Sequence, residues 1–194
     1  MNYRVVLALT SAVALSACGL NSVPTAEENA KARWADVQND YQRRADLVPN
    51  LVATVKAAGA QEKSILVEVT QARAAANTIK VSASDLTDPA KVQQFDRAQS
   101  ALGLSLQRLQ EAYPDLKSQA NYTTLMSQLE GTENRIAIAR RDYNTAVQSY
   151  NTTIRTFPDA IGAKVFYGAK PMVPFQATTP GAETAPTVNF GNSN

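Results

Sequence analysis

Apolar side chains recur every seven residues along most of this chain. Tyr122, Leu129, Ile136, Tyr143, Tyr150 and Phe157 keep that interval, with Leu125, Met126, Ala139, Val147 and Ile154 three or four positions after them. A sustained seven-residue period predicts a long helix packed on other helices at a shallow angle. Trp34, Tyr41, Val48 and Val55 repeat the pattern nearer the N-terminus, accompanied by Val37, Leu51 and Val52. Between them, Val92, Phe95, Leu102, Leu106, Leu109 and Tyr113 alternate at three and four, broken only by Gln99. Ile65, Leu66, Val69, Ala72, Ala76 and Ile79 form a shorter, weaker stripe. The expected fold is all-α: an antiparallel four-helix bundle with long helices and an irregular C-terminal tail.

Local residues set the expected boundaries. The first helix should begin near Thr25, with Glu27 and Glu28 complementing the positive end of its dipole. Gly59 can end it, although the seven-residue frame of Trp34 to Val55 runs on through Glu62 and Val69, so one helix over 27–79 is the alternative. The break is preferred because an up-down-up-down arrangement then closes, with residue 157 at the same end as the start of the first helix. Asp88-Pro89 is an N-cap followed by proline at the first helical position. Tyr113-Pro114 stops that helix, and Asn121 is placed to cap the fourth. The bundle is thus expected over 27–157, an aromatic base segment over 158–176, and a disordered Pro/Thr/Gly tail over 177–194.

The N-terminus carries a different pattern. Met1 to Arg4 is a short cationic region, and Val5 to Leu15 is an apolar run. That run is too short to cross a hydrocarbon core of about 30 Å, which takes roughly 20 helical residues, so residues 1–17 read as a signal peptide. Leu15-Ser16-Ala17-Cys18 resembles a bacterial lipobox, which implies cleavage after Ala17 and lipidation of Cys18, with 18–26 a lipidated linker. Two or three acyl chains, palmitate among them, anchor a protein firmly where one does not. The domain is therefore expected in the bacterial cell envelope, outside the cytoplasm. Gly19 stands where an aspartate is associated with inner-membrane retention, which favours the periplasmic face of the outer membrane over the inner membrane.

Composition narrows the chemistry. The chain has 19 Lys+Arg against 17 Asp+Glu, too balanced for a nucleic-acid binder. It has no histidine, which removes Ser–His and Cys–His catalysis and His-ligated zinc. Its single cysteine is committed to the anchor, so no thiol chemistry is expected. Asp36, Asp40 and Asp46 lie on the first helix, but no Glu-x-x-His partner accompanies them, so neither metal nor cofactor is expected.

Three constellations exceed what a generic bundle requires. Arg43, Arg44, Asp46 and Asn50 surround Pro49, which inside a helix marks a kink or a restart capped by Asp46. Glu133, Asn134, Arg135 and Arg140 form a second group, with Glu133 and Arg140 on the apolar seam. Tyr143-Asn144 and Tyr150-Asn151 place two identical dipeptides on one helix face. Two readings stand. In one, Arg44 and Arg140 pair with Glu62 and Glu133 to fix register, and the tyrosines bond within the core. In the other, paired guanidinium groups hold a small anion or a peptide carboxylate. Phe166, Tyr167 and Phe175, interleaved with Lys164 and Lys170, could contact a partner or lipid headgroups, or else cap the core.

Four stretches resemble the LemA family, in order and over roughly residues 27–176. They are RRADLVPNLV (43–52), TENRIAIARRDYN (132–144), YNTTIRTFP (150–158) and AKVFYGAKPMVPF (163–175). The resemblance implies a membrane-anchored four-helix bundle and supplies no catalytic residues. Such proteins usually begin with a transmembrane helix, where this chain offers a lipobox. The expected function is a non-enzymatic adaptor or scaffold, meeting an unidentified membrane or envelope protein. A self-associating structural lipoprotein is the alternative, and a small-anion or peptide binder is a third.

Overall fold

A computed structural model describes residues 21–59 and 63–176. The lipobox, Glu62 and the tail over 177–194 lie outside the described residues. Five helices and two single 3-10 turns make up the rest, with no strand among the described residues. Helix α1 spans Ser22–Ala57, α2 Lys63–Thr78, α3 Pro89–Ala112, α4 Ala120–Thr153 and α5 Asp159–Val165. The 3-10 turns Ala83–Thr87 and Pro114–Ser118 lie in the connections on either side of α3. No helix among the described residues is long and apolar enough to cross a membrane.

Helix ends follow local chemistry, with three departures from expectation. The Asp88 carboxylate accepts from the amides of Ala90 and Lys91 at 2.9 and 3.4 Å, starting α3 as its sequence demands. That helix ends at Ala112, just before Tyr113-Pro114. Helix α1 stops at Ala57, and Gly59 takes φ +83°, a left-handed conformation that glycine adopts without strain. Residues 63–78 then form a separate helix, so the single-helix alternative does not apply. The first departure is at the start of α1, where residues 22–26, expected as linker, are already helical. Glu27 and Glu28 therefore lie beyond the first turn and grip Lys31 at 2.8 and 2.7 Å. The second is Asn121, which lies inside α4 and caps nothing, because Gln119 occupies the cap position. The third is Phe157, which falls beyond the end of α4 and is 83% exposed.

Pro49 neither restarts α1 nor uses Asp46 as a cap; it sits within a continuous helix of 36 residues. Asp46 is exposed and accepts a hydrogen bond from Gln42 at 2.7 Å. Proline lacks an N–H, so the carbonyl four residues earlier loses its helical partner. That carbonyl belongs to Ala45, and Arg73 of α2 donates Nε to it at 2.7 Å. The helix defect is thus repaired from a neighbouring helix, which ties α2 to α1.

Packing follows the stripes. Helices α1 and α4 are the most extensively paired and run antiparallel: Ser22 Oγ donates to Asp159 just beyond one end of α4, and Arg44 meets Glu133 midway along. Helices α2 and α3 form the second close pair, also antiparallel, with Arg108 on Glu68 at 2.7 Å. By contrast, α3 and α4 are not closely paired, although each lines the same gap. The buried apolar residues divide into two clusters. One gathers Trp34, Val37, Tyr41, Phe95, Ile136 and Tyr143 with Phe175; the other gathers Val48, Leu51, Leu102, Leu109, Tyr122 and Leu129.

Replacing Arg73 by Ala should cost about 1–3 kcal/mol by leaving the Ala45 carbonyl unpaired. Pairing it with Pro49→Ala should recover most of that loss, since the restored amide takes the same carbonyl. Chemical denaturation of the double-mutant cycle reads the coupling directly, and additive losses would show that Arg73 acts elsewhere.

Candidate functional site

Polar residues separate the two apolar clusters. Arg44, only 3% exposed, extends from α1 into the gap between α3 and α4. Its Nη2 donates to the Gln99 carbonyl at 2.7 Å and to the Gln99 side-chain oxygen at 2.8 Å. Its Nη1 donates to Glu133 at 3.0 Å, and its guanidinium lies 5.0 Å from the Tyr41 ring centre. The Nε finds no partner among the described residues. Gly103 faces the guanidinium, where a Cβ would lie in ordinary contact 3.4 Å from Nη1.

Arg140 completes the layer from α4. Its Nη1 donates to Asp96 at 2.7 Å and to the Tyr41 hydroxyl at 3.1 Å, and its guanidinium lies 4.3 Å from the Phe175 ring centre. Asp96, rather than Glu133, is thus its ion-pair partner among the described residues. The reason is register: Arg140 lies seven residues beyond Glu133 on the same helix, level with the start of α3. Burial pushes the Tyr41 hydroxyl above its ordinary pKa, against the opposing pull of Arg140 and Arg44.

Beside this layer α3 and α4 leave a groove of about 1170 Å³. Gln99, Gly103, Leu104 and Leu106 line one wall, and Tyr122, Met126, Leu129 and Glu133 the other. Arg44 and Tyr41 reach it from α1. The Tyr122 hydroxyl, buried at its edge, finds no partner either, and burial raises its pKa. The space exceeds the ordinary range for small-molecule pockets, about 300–1,000 Å³, and is elongated along the helices.

The upper part of the same face is occupied by the chain itself. Asn151 donates to the Met172 carbonyl at 2.9 Å and accepts its amide at 2.8 Å. Asn144 does the same for Phe175, at 3.0 and 2.8 Å. Tyr143 donates to the Val173 carbonyl at 3.0 Å, and the Val173 amide donates to the Leu86 carbonyl at 2.8 Å. The spacing has a physical basis. Seven helical residues rise about 10.5 Å, and three extended residues cover about 10 Å, so asparagines one heptad apart meet every third residue of an extended segment. Phe175 then stacks on Trp34, centroids 5.6 Å apart, and packs against Tyr143 at 5.4 Å.

A LemA family model matches residues 33–190. The chain belongs to the LemA family. It is also similar to two magnetosome proteins of Paramagnetospirillum magneticum, MamQ 1 and MamQ 2, each 28% identical over 172 residues. Those alignments cover 79% of this chain and 63% of each relative, so the chain spans less than two thirds of the curated relatives it matches.

Within this LemA domain two groups of the residues singled out by sequence come together, and the others do not. Arg44, Glu133 and Arg140 meet in the polar layer, and Tyr143, Asn144 and Asn151 hold the C-terminal segment. Tyr150 is buried in the upper cluster. Arg43, Asp46, Asn50, Asn134 and Arg135 are exposed and do not join the layer. These residues fall on the outer face because successive helical positions are about 100° apart, so half a turn separates inner from outer positions. Phe175 is buried at 6% exposure, so it offers no surface to a partner, whereas Phe166 and Tyr167 remain exposed. Asp96 and Gln99 were not anticipated as partners. Gln99 carried a legible cue, as the one polar break in the α3 stripe.

Replacing Asn144 or Asn151 by Ala should each cost about 1–3 kcal/mol and release the segment they hold. Amide exchange at residues 172–176 should then accelerate; unchanged protection would show that the asparagines do not secure it. Stability should also fall in alkali. Burial holds the Tyr143 hydroxyl well above its ordinary pKa, so above pH about 10 the unfolded chain sheds a proton that the folded one keeps. Denaturation midpoints measured from pH 8 to 11 should drop, and Tyr143→Phe should flatten the drop.

Proposed function

We propose that this LemA-family protein is a lipid-anchored, non-enzymatic adaptor of the bacterial envelope that engages another protein through the α3–α4 groove. The groove carries this reading. It is too long for a small anion, and two buried polar atoms beside it, Arg44 Nε and the Tyr122 hydroxyl, have no partner among the described residues. Each unsatisfied buried group costs about 1–3 kcal/mol, which an inserted polar chain can offset. The architecture is proposed as an antiparallel four-helix bundle left open on one side. The anchor is proposed at Cys18 after cleavage behind Ala17, on the strength of the lipobox. Similarity to magnetosome proteins accords with a place at a membrane.

No arrangement among the described residues favours catalysis. The arginines are consumed by Glu133, Gln99 and Asp96, and no three His, Cys, Asp or Glu side chains gather to hold a metal among the described residues. A photo-crosslinker at Gln107, on the groove, should capture one discrete envelope protein in cells, while the same group at Arg43 should not. Crosslinks between copies of this chain alone would replace the adaptor by the self-associating lipoprotein. Cys18→Ser should abolish incorporation of labelled palmitate in cells; undiminished incorporation would contradict the anchor.

A further inference from the structure

Large apolar side chains are exposed at one end of the molecule. Eight such residues stand exposed among the described residues, and five of them fall within 157–167: Phe157, Ile161, Val165, Phe166 and Tyr167. Phe157 is 83% exposed, and Val165 and Phe166 are 68% exposed. Helix α5 explains the arrangement. Gly162 and Ala163 face inward, α5 packs against α1, and Ile161 and Val165, four residues apart, share the outward face. Nothing in the domain requires these side chains outside, since a short helix could present polar residues there at no loss of packing.

Charge at this end is complementary to an anionic surface. Arg155, Lys164 and Lys170 are exposed around the apolar group. The acidic residues nearby offset these cations only in part: Asp159 accepts from Ser22 at 2.7 Å and Glu27 and Glu28 share Lys31, which leaves four cations against three carboxylates among the described residues of this end. The start of α1 lies at the same end, four residues beyond Cys18. Exposed aromatics with interleaved cations suit the boundary between headgroups and acyl chains.

We propose that residues 157–167 form a membrane-contact surface that inserts Phe157, Ile161, Val165 and Phe166 into the headgroup–acyl boundary of an anionic bilayer. The surface sets the long helices upright on the membrane and holds the α3–α4 groove away from it. It is independent of whether Cys18 carries lipid, because it is made by folded residues beyond α4.

The test uses the full chain reconstituted into vesicles of phosphatidylglycerol and acyl-brominated phosphatidylcholine. Tryptophan is introduced as Phe166→Trp or, midway along the long helices, as Leu104→Trp; Trp34, buried in the upper cluster, gives the common baseline. Bromine should quench the added emission of Phe166→Trp at least twofold and leave Leu104→Trp unaffected. Equal quenching of the two, or none at Phe166→Trp, overturns the proposal. Emission from Phe166→Trp that is shielded from aqueous iodide yet unquenched by bromine also overturns it, assigning the surface to contact between copies of this chain. Vesicle flotation of the same samples reports anchoring separately, so an anchored chain with unquenched Phe166→Trp sinks this surface alone.

Discussion

A guanidinium buried among apolar helices has few tolerable surroundings. Removing a charge from water costs several kcal/mol even after relaxation, so the fold must supply partners at fixed positions. Arg44 obtains two acceptors from Gln99 on α3 and one from Glu133 on α4. Those bonds fix the height of three helices relative to one another. They also explain why the interior is divided into two apolar clusters, with Asp96, Gln99 and Arg140 in the intervening layer. The side chain occupies the space in which α3 and α4 would otherwise pack, and the groove opens at that point. The register of the domain and its open face therefore have one cause.

The helices were legible in the sequence because their signals are local or periodic. Seven-residue stripes revealed α1 and α4, Asp88-Pro89 the start of α3, and Gly59 the break after α1. What local pattern cannot give is which residues meet across helices. Arg140 was expected against Glu133 or Glu62 and instead meets Asp96, whose place beside Phe95 on α3 shows only once the helices are aligned. Pro49 advertised an unpaired carbonyl at Ala45, but nothing near it in sequence pointed to Arg73, 28 residues away. Phe157 kept the heptad interval past the true end of α4, so periodicity overran the helix by a turn.

The repeated Tyr-Asn dipeptides teach a different lesson. Their spacing was visible, yet their ligand was not, because an asparagine that reads an extended backbone looks the same whether that backbone is its own or another's. Here the occupant is residues 172–176, and the match between one heptad and three extended residues makes the clamp geometrically exact at both ends. Phe175 is thereby drawn into the aromatic cluster around Trp34, which closes the upper part of the domain. Below it, the groove stays open beside Arg44. A LemA domain so built has one end with exposed aromatics beside the start of α1, and a recessed face further along the helices.

The central claim is that Arg44 props α3 and α4 apart. Pulsed dipolar spectroscopy between spin labels at Gln107 and Glu130, in a Cys18→Ser background, measures that gap directly. The expected result is a single separation larger than helices packed 8–10 Å apart would give, shortening in Arg44→Met as the helices close. A short separation in the parent protein, or one that Arg44→Met leaves unchanged, would contradict it.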